Sequence, residues 1–258
     1  MNRHESIIVL ERVSKAFNGT RVLSDFSLAI DPGETMTILG GSGTGKSVTL
    51  KLILGLLRPD QGRILFRGTD VGTMDEQTLN GMRKQIGMLF QGGALFDSLS
   101  VRENIAYPLR EHFRHHDEME IGKIVAHSLS LVGLPGVEQM MPVDLSGGMR
   151  KRVALARAIA TRPAVILYDE PTTGLDPANT QRINRLIREL QTKLEVTSIV
   201  VTHDMESAFQ VTDRMALLYN RRVEFVGTVE EVRSSSIPVV QNFIHGHLDA
   251  GNEMTVGV

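Results

Sequence analysis

Apolar residues along this chain fall into short, separated runs, and the length and spacing of each run predict an element. Residues 7–39 read as β-rich segments that close on the apolar run Thr35 to Leu39. The stretch Lys46 to Leu57 reads as a helix, and short strands follow near Ile64 to Phe66 and Gly87 to Phe90. From about residue 92 to 160 the pattern is rich in helix, including Met149 to Ala160, which stops before Pro163. Two continuous apolar runs, Ala164 to Tyr168 and Ser198 to Val201, have the character of strands buried on both faces. A further strand at Arg222 to Val226 and a short helix near Thr228 precede Ile237 to Ile244, where apolar residues return at helical spacing. The alternation predicts an α/β core with a largely parallel sheet, interrupted by a helical subdomain at about 92–160. One domain over residues 1–245 and a polar, Gly-containing tail at 246–258 is the expected organisation. On the last predicted helix Val240, Phe243 and Ile244 share a face. The expectation is that this stripe docks on a partner or accessory subunit; packing on its own domain is the alternative.

Length and composition exclude several classes. A chain of 258 residues is near the upper limit for one hydrophobic core, where about 75% of the unfolded surface is buried. With no cysteine there is neither a disulfide framework nor a thiolate metal site. A formal net charge of −2 gives no support for nucleic-acid binding. The strongest apolar run, Leu52 to Leu57, is bounded by Lys51 and Arg58, far short of the roughly 18 apolar residues a spanning helix needs. The opening Met-Asn-Arg-His-Glu lacks the apolar core of a secretory signal. The basic run Arg150-Lys151-Arg152 is expected on a solvated face or a partner contact. The cluster His112, His115, His116 and Asp117 lies in a charged, loop-like stretch and is expected to be solvated, not a metal site.

The candidate chemistry sits where strands end. Gly40-Gly41-Ser42-Gly43-Thr44-Gly45-Lys46-Ser47 fits G-x-x-x-x-G-K-[ST] between a strand and a helix, the context a P-loop requires. Glycine leaves no Cβ in the way, so successive backbone N–H groups converge on phosphate oxygens at a helix N-terminus. Lys46 would reach the β- and γ-phosphates, and Ser47 would offer its hydroxyl to Mg²⁺. A plain glycine turn is the ordinary alternative. Asp169 and Glu170 end an apolar strand run, at the edge where α/β sheets bind ligands. Asp169 is expected in the Mg²⁺ shell, and Glu170 is expected to orient and deprotonate the attacking water. His203 follows the run at 198–201 and is expected to contact the γ-phosphate; a structural histidine is the alternative.

These motifs, with Leu145-Ser146-Gly147-Gly148-Met149 between them, resemble the ATP-binding subunits of ABC transporters over nearly the whole chain. The resemblance implies a P-loop NTPase core, an N-terminal antiparallel β subdomain and the inserted helical subdomain. It implies ATP and Mg²⁺ as cofactors, with the ATP site formed by Gly40, Gly41, Ser42, Gly43, Thr44, Gly45, Lys46, Ser47 and Val48. Gln91 becomes the lid glutamine, catalytic and near the metal, and Asp176 the D-loop residue. Ser146, Gly147 and Gly148 become the signature that caps ATP on the P-loop of a second copy in a head-to-tail dimer. Ser146 as a helix N-cap and the two glycines agree with a helix N-terminus pointing at phosphate. Met149 stands where the family commonly has glutamine, Gly41 where proline is common and Val48 where threonine is usual. The adenine-stacking aromatic would be Phe17 in place of the usual tyrosine, retaining the π face and predicting weak discrimination among bases; core packing is its alternative.

The segment Gln91 to Ala106 together with Leu-Ser-Gly-Gly-Met-Arg-Lys-Arg resembles the ATPases of Mla/Mce-type phospholipid transporters. That implies intermembrane phospholipid trafficking that maintains outer-membrane lipid asymmetry, at the cytoplasmic face of a bacterial inner membrane. The implied partners are integral membrane permease subunits, an Mce-type lipid-binding subunit and an accessory cytoplasmic subunit. Phe96 and Leu99 would form an apolar socket for a helix of the membrane subunit; packing within the helical subdomain is the alternative. An amino-acid or other small-solute importer is the runner-up function. A soluble ABC ATPase acting on nucleic acid or ribosomes is remote, because neither a long coiled-coil insertion nor a second ATPase domain is present.

Overall fold

The computed structural model describes residues 6–112 and 117–245. His115, His116, the opening five residues and the tail from 246 onward lie outside the described residues. The chain divides into two compact units, Met1–Leu79 with Ile199–Val258, and Asn80–Ser198.

In the first unit β1 (Ile8–Phe17) pairs antiparallel with β2 (Thr20–Ile30) on one side and with β4 (Gln61–Phe66) on the other. The two-residue β5 (Thr69–Asp70) completes a sheet of order β2-β1-β4-β5. Asn18 and Gly19 join β1 to β2 with both residues at positive φ, the turn whose twist matches a two-residue hairpin. Strand β3 (Thr35–Leu39) is buried at all five positions and runs parallel to β9 (Arg214–Tyr219). Strand β9 pairs antiparallel with β10 (Arg222–Thr228). Helix α1 (Lys46–Ile53) starts where expected but stops short of Leu57. Gly55 takes φ 64, and the Gly55 and Leu56 amides donate to the Leu52 and Lys51 carbonyls, which closes the helix.

The C-terminal stripe corrects its expectation. On α9 (Pro238–Ile244) Val240 is 2% exposed, within a cluster of Leu39, Ala208, Met215, Leu217 and Val232, and Phe243 and Ile244 pack against it. The stripe belongs to the core of its own unit. Helix α8 (Val229–Ser234), capped reciprocally by Thr228 and Glu231, and α7 (Met205–Val211) supply the rest of that cluster.

In the second unit β6 (Ile86–Leu89) runs parallel to β7 (Val165–Asp169). Helices α3 (Val101–His112), α4 (Glu118–Leu131) and α5 (Gly147–Ile159) form the expected helical region, with α5 packed on α3, α4 and β6. Helix α6 (Pro177–Leu194) is amphipathic, burying Ile183, Leu186, Ile187 and Leu190. Helix α2 (Glu76–Arg83) and strand β8 (Thr197–Thr202) contain the two points of division.

Two further expectations are corrected here. The basic run is a solvated face only at Arg150, which is exposed; Lys151 and Arg152 are each 6% exposed. The Arg152 guanidinium donates to the carbonyls of Val132 (3.3 Å) and Gly133 (3.0 Å), closing the end of α4. Nor is the histidine cluster all loop. His112 is the last residue of α3, and Asp117 caps α4 by accepting from the Glu120 amide at 2.7 Å. Among the described residues no group of three or more His, Asp or Glu side chains is placed to hold a metal ion, and no helix is long and apolar enough to cross a membrane.

Candidate functional site

The P-loop joins β3 to α1 in the first unit. Gly43 and Gly45 take φ 74 and 103, and Gly45 caps α1 without a side-chain acceptor of its own. A Cβ on Gly45 would meet Val22 Cγ1 at 2.8 Å, so strain and space both require glycine there. Thr44 Oγ1 donates to the Gly41 carbonyl at 2.9 Å and tightens the turn. Lys46, 7% exposed, folds over the loop and donates to the carbonyls of Gly40 (2.8 Å) and Gly41 (2.9 Å). Ser47 and Val48 follow in the first turn of α1, both half-buried, and Ser42 is exposed. Phe17 ends β1 with 40% of its surface exposed and Lys15 Nζ 5.5 Å from its ring centroid. Phe17 is thus not part of the buried core. His203 is exposed just past β8; Asp204 beside it caps α7, accepting from the Ser207 amide at 3.2 Å.

The second unit carries Gln91, the signature, the carboxylate pair and Asp176. Asp169 is half-buried at the end of β7, and Glu170, 8% exposed, follows at φ 47. Thr173 Oγ1 donates to Glu170 Oε2 at 3.2 Å, and the Thr173 amide donates to the Glu170 carbonyl at 3.3 Å. Lys151 donates from Nζ to that same carbonyl at 3.0 Å. Burial pushes the Lys151 ammonium down to about 8, while the Glu170 and Asp169 carboxylates pull it up.

Ser146 caps α5 by accepting from the Met149 amide at 3.2 Å. A Cβ on Gly148 would meet Asn179 Oδ1 at 2.4 Å, so Gly148 lets Asn179 approach the signature closely. Asn179 in turn donates to both oxygens of Asp176, from its amide at 2.9 Å and its side chain at 2.6 Å. These bonds, the amide first, hold the Asp176 carboxyl below its ordinary range. The structure therefore brings Gly148 of the signature close to Asn179, which is hydrogen-bonded to Asp176.

Three residues to which the sequence assigned no role in the site organise this unit. Arg157 donates to the carbonyls of Ala94 (2.8 Å) and Gly93 (2.9 Å), fixing the turn after Gln91, which is itself exposed. Burial lowers the pKa of its guanidinium, and its charge lies 5.9 Å from the Phe96 ring centroid. Asn104, fully buried, accepts from the Phe96 amide at 2.8 Å and donates to the carbonyls of Phe96, Leu99 and Ser100. Lys151 is the third. Only Arg157 carried a signal in the sequence, as a lone cation in the otherwise apolar run Val153 to Ala160. Phe96 and Tyr107 are both exposed with ring centroids 5.0 Å apart, whereas Leu99 is half-buried.

The family described as ABC transporter matches residues 23–173. A protein of Mycobacterium leprae named probable ribonucleotide transport ATP-binding protein mkl is 43% identical over 239 residues, covering 93% of this chain and 69% of that one. The intermembrane phospholipid transport system ATP-binding protein MlaF of Haemophilus influenzae is 44% identical over 232 residues, covering 90% of this chain and 88% of that one. Among solved structures, the dimeric post-hydrolysis state of the ATP-binding cassette MJ0796 bound to ADP and Pi has a TM-score of 0.79 at 31% identity, covering 86% of this chain and 98% of that one.

Proposed function

Because this chain belongs to the ABC transporter ATP-binding family, we propose that it is the ATPase subunit of an intermembrane phospholipid transporter. That it is an ABC ATPase of the α/β P-loop kind follows from the family match and the structural likeness. The phospholipid cargo rests on one observation, the match to MlaF along 88% of that protein's length. A second reading has its own support: the mycobacterial relative, at nearly the same identity, is named for ribonucleotide transport, but this chain covers only 69% of it. Purifying the native membrane complex and identifying what it carries by mass spectrometry separates the two. Bound phospholipid supports the first reading, and bound nucleotide at a second, non-ATPase site supports the other.

In the proposed mechanism the P-loop amides and Lys46 bind the ATP phosphates, and Phe17 stacks on the base. Ser47, Asp169 and Gln91 are oxygen donors, the set a hard divalent cation accepts alongside phosphates and waters. Mg²⁺ held there would neutralise charge on the transferred phosphoryl group. Glu170 takes the proton of the attacking water, and His203 contacts the γ-phosphate. Ser146, Gly147 and Gly148 of one copy complete the site of a second, head-to-tail copy, with Asp176 beside them. That the similar cassette MJ0796 has been solved as a dimer bound to ADP and Pi supports the association of two copies.

The membrane partners are permease subunits, an Mce-type lipid-binding subunit and an accessory cytoplasmic subunit, which would hold this chain at the cytoplasmic face of the inner membrane. The exposed Phe96 and Tyr107 rings supply an aromatic surface for a permease helix. The proposed domain organisation keeps one ATPase domain at 1–245, with the helical subdomain inserted at about 92–160 and a tail at 246–258.

A further inference from the structure

Lys151 is a costly residue to bury. An ammonium removed from water needs acceptors in place of its hydration, and a Met or Leu on α5 would fill the same space without that demand. At 6% exposed, Lys151 spends its Nζ on the Glu170 main-chain carbonyl at 3.0 Å. Glu170 is the residue in this neighbourhood whose backbone most needs holding, since a side-chain-bearing residue at φ 47 persists only where its surroundings impose it. Thr173 grips both ends of the same residue, through the carbonyl and through Oε2.

We propose that Lys151 is a positioning residue for the catalytic base: its bond to the Glu170 carbonyl fixes the peptide in the left-handed conformation and so sets the direction of the carboxylate. It acts through Glu170 and touches no substrate. The inference rests on the reading of Glu170 as the base. The same bond ties the helix that begins with Gly147 and Gly148 to that base within one chain.

The test uses the purified full-length chain and steady-state ATP hydrolysis. Lys151→Met removes the donor at similar volume and is expected to lower kcat at least tenfold while KM for ATP stays within twofold. Lys151→Arg keeps a cationic donor and should recover part of the loss; Lys151→Gln offers a shorter neutral donor and serves if Lys151→Met fails to fold. On a Glu170→Gln background the Lys151 substitution should cost no further activity, because positioning has no base left to act on. The proposal is overturned by a kcat within twofold of the parent for the folded Lys151 variant, or by an equal fold-loss with and without Glu170. If Glu170→Gln alone hydrolyses ATP normally, it is the assignment of the base that fails, and that outcome is read separately.

Discussion

The P-loop and the end of β7 both hold their backbone in the left-handed region, by opposite means. In the P-loop Gly43 and Gly45 adopt φ 74 and 103 without a Cβ to strain. At the end of β7 Glu170 adopts φ 47 with a full side chain, a conformation that costs an L-residue roughly 1–2 kcal/mol. Its surroundings impose it, through Lys151 and Thr173. Where the chemistry needs only backbone N–H groups, the sequence can use glycine and the loop is self-sufficient. Where it needs a carboxylate in the same conformation, neighbouring elements must supply the constraint.

The largest expected effect removes the base and spares the binder. Glu170→Gln keeps the shape of the carboxylate and should lower kcat by about 10²–10⁴, while ATP binding, measured by titration with a fluorescent analogue, stays near that of the parent. Parallel losses of binding and turnover would show that the two regions do not divide the work in this way.

Next in size is a stability test of the first unit. Phe243, half-buried, packs against the cluster around Val240, so Phe243→Asp removes part of that packing and presents a charge to apolar neighbours, at a cost of about 2–3 kcal/mol. A large drop in the melting temperature of the isolated chain is expected. An unchanged melting temperature with weakened complex assembly would restore the docking role that the fold removes.

A smaller change separates P-loop from signature in the dimer. With Lys46→Ala on one protomer and Ser146→Arg on the other, both changes fall on one composite site and the second site is intact. With both changes on the same protomer each site carries one lesion. On the proposed head-to-tail pairing, tagged mixed dimers should therefore retain up to about half the hydrolysis in the first arrangement and essentially none in the second. Equal activities in the two arrangements would dismiss the head-to-tail pairing.

The smallest effect lies on the surface of the first unit, away from either region. The Asp60 carboxyl is held below its ordinary range, first by the hydrogen bond from Lys15 and then by that from the Ala16 amide. A depressed folded pKa contributes stability above the unfolded value near 3.9, and that contribution is lost as pH falls through the folded value. Asp60→Asn should thus lower the melting temperature slightly at pH 7, and the difference should vanish as pH falls through the folded value of the Asp60 carboxyl. A difference that persists in acid would assign the effect to geometry and not to charge.

Much of the fold was legible before any coordinates. The apolar runs located β3 and β7 within a residue, because a strand buried on both faces shows as a continuous run. The ordered motifs located the P-loop and the signature, because gripping phosphate with backbone N–H groups demands glycine and a capped helix at fixed spacing, which is local information. Only the tertiary structure decided the rest. A periodic pattern says that Val240, Phe243 and Ile244 share a face, but not which surface covers it. Likewise the letters Arg150-Lys151-Arg152 describe charge, not burial. Lys151 and Arg152 found carbonyl acceptors at the end of β7 and the end of α4, 19 and 20 residues distant in the chain, and hydrogen-bond partners that far apart come together only through packing.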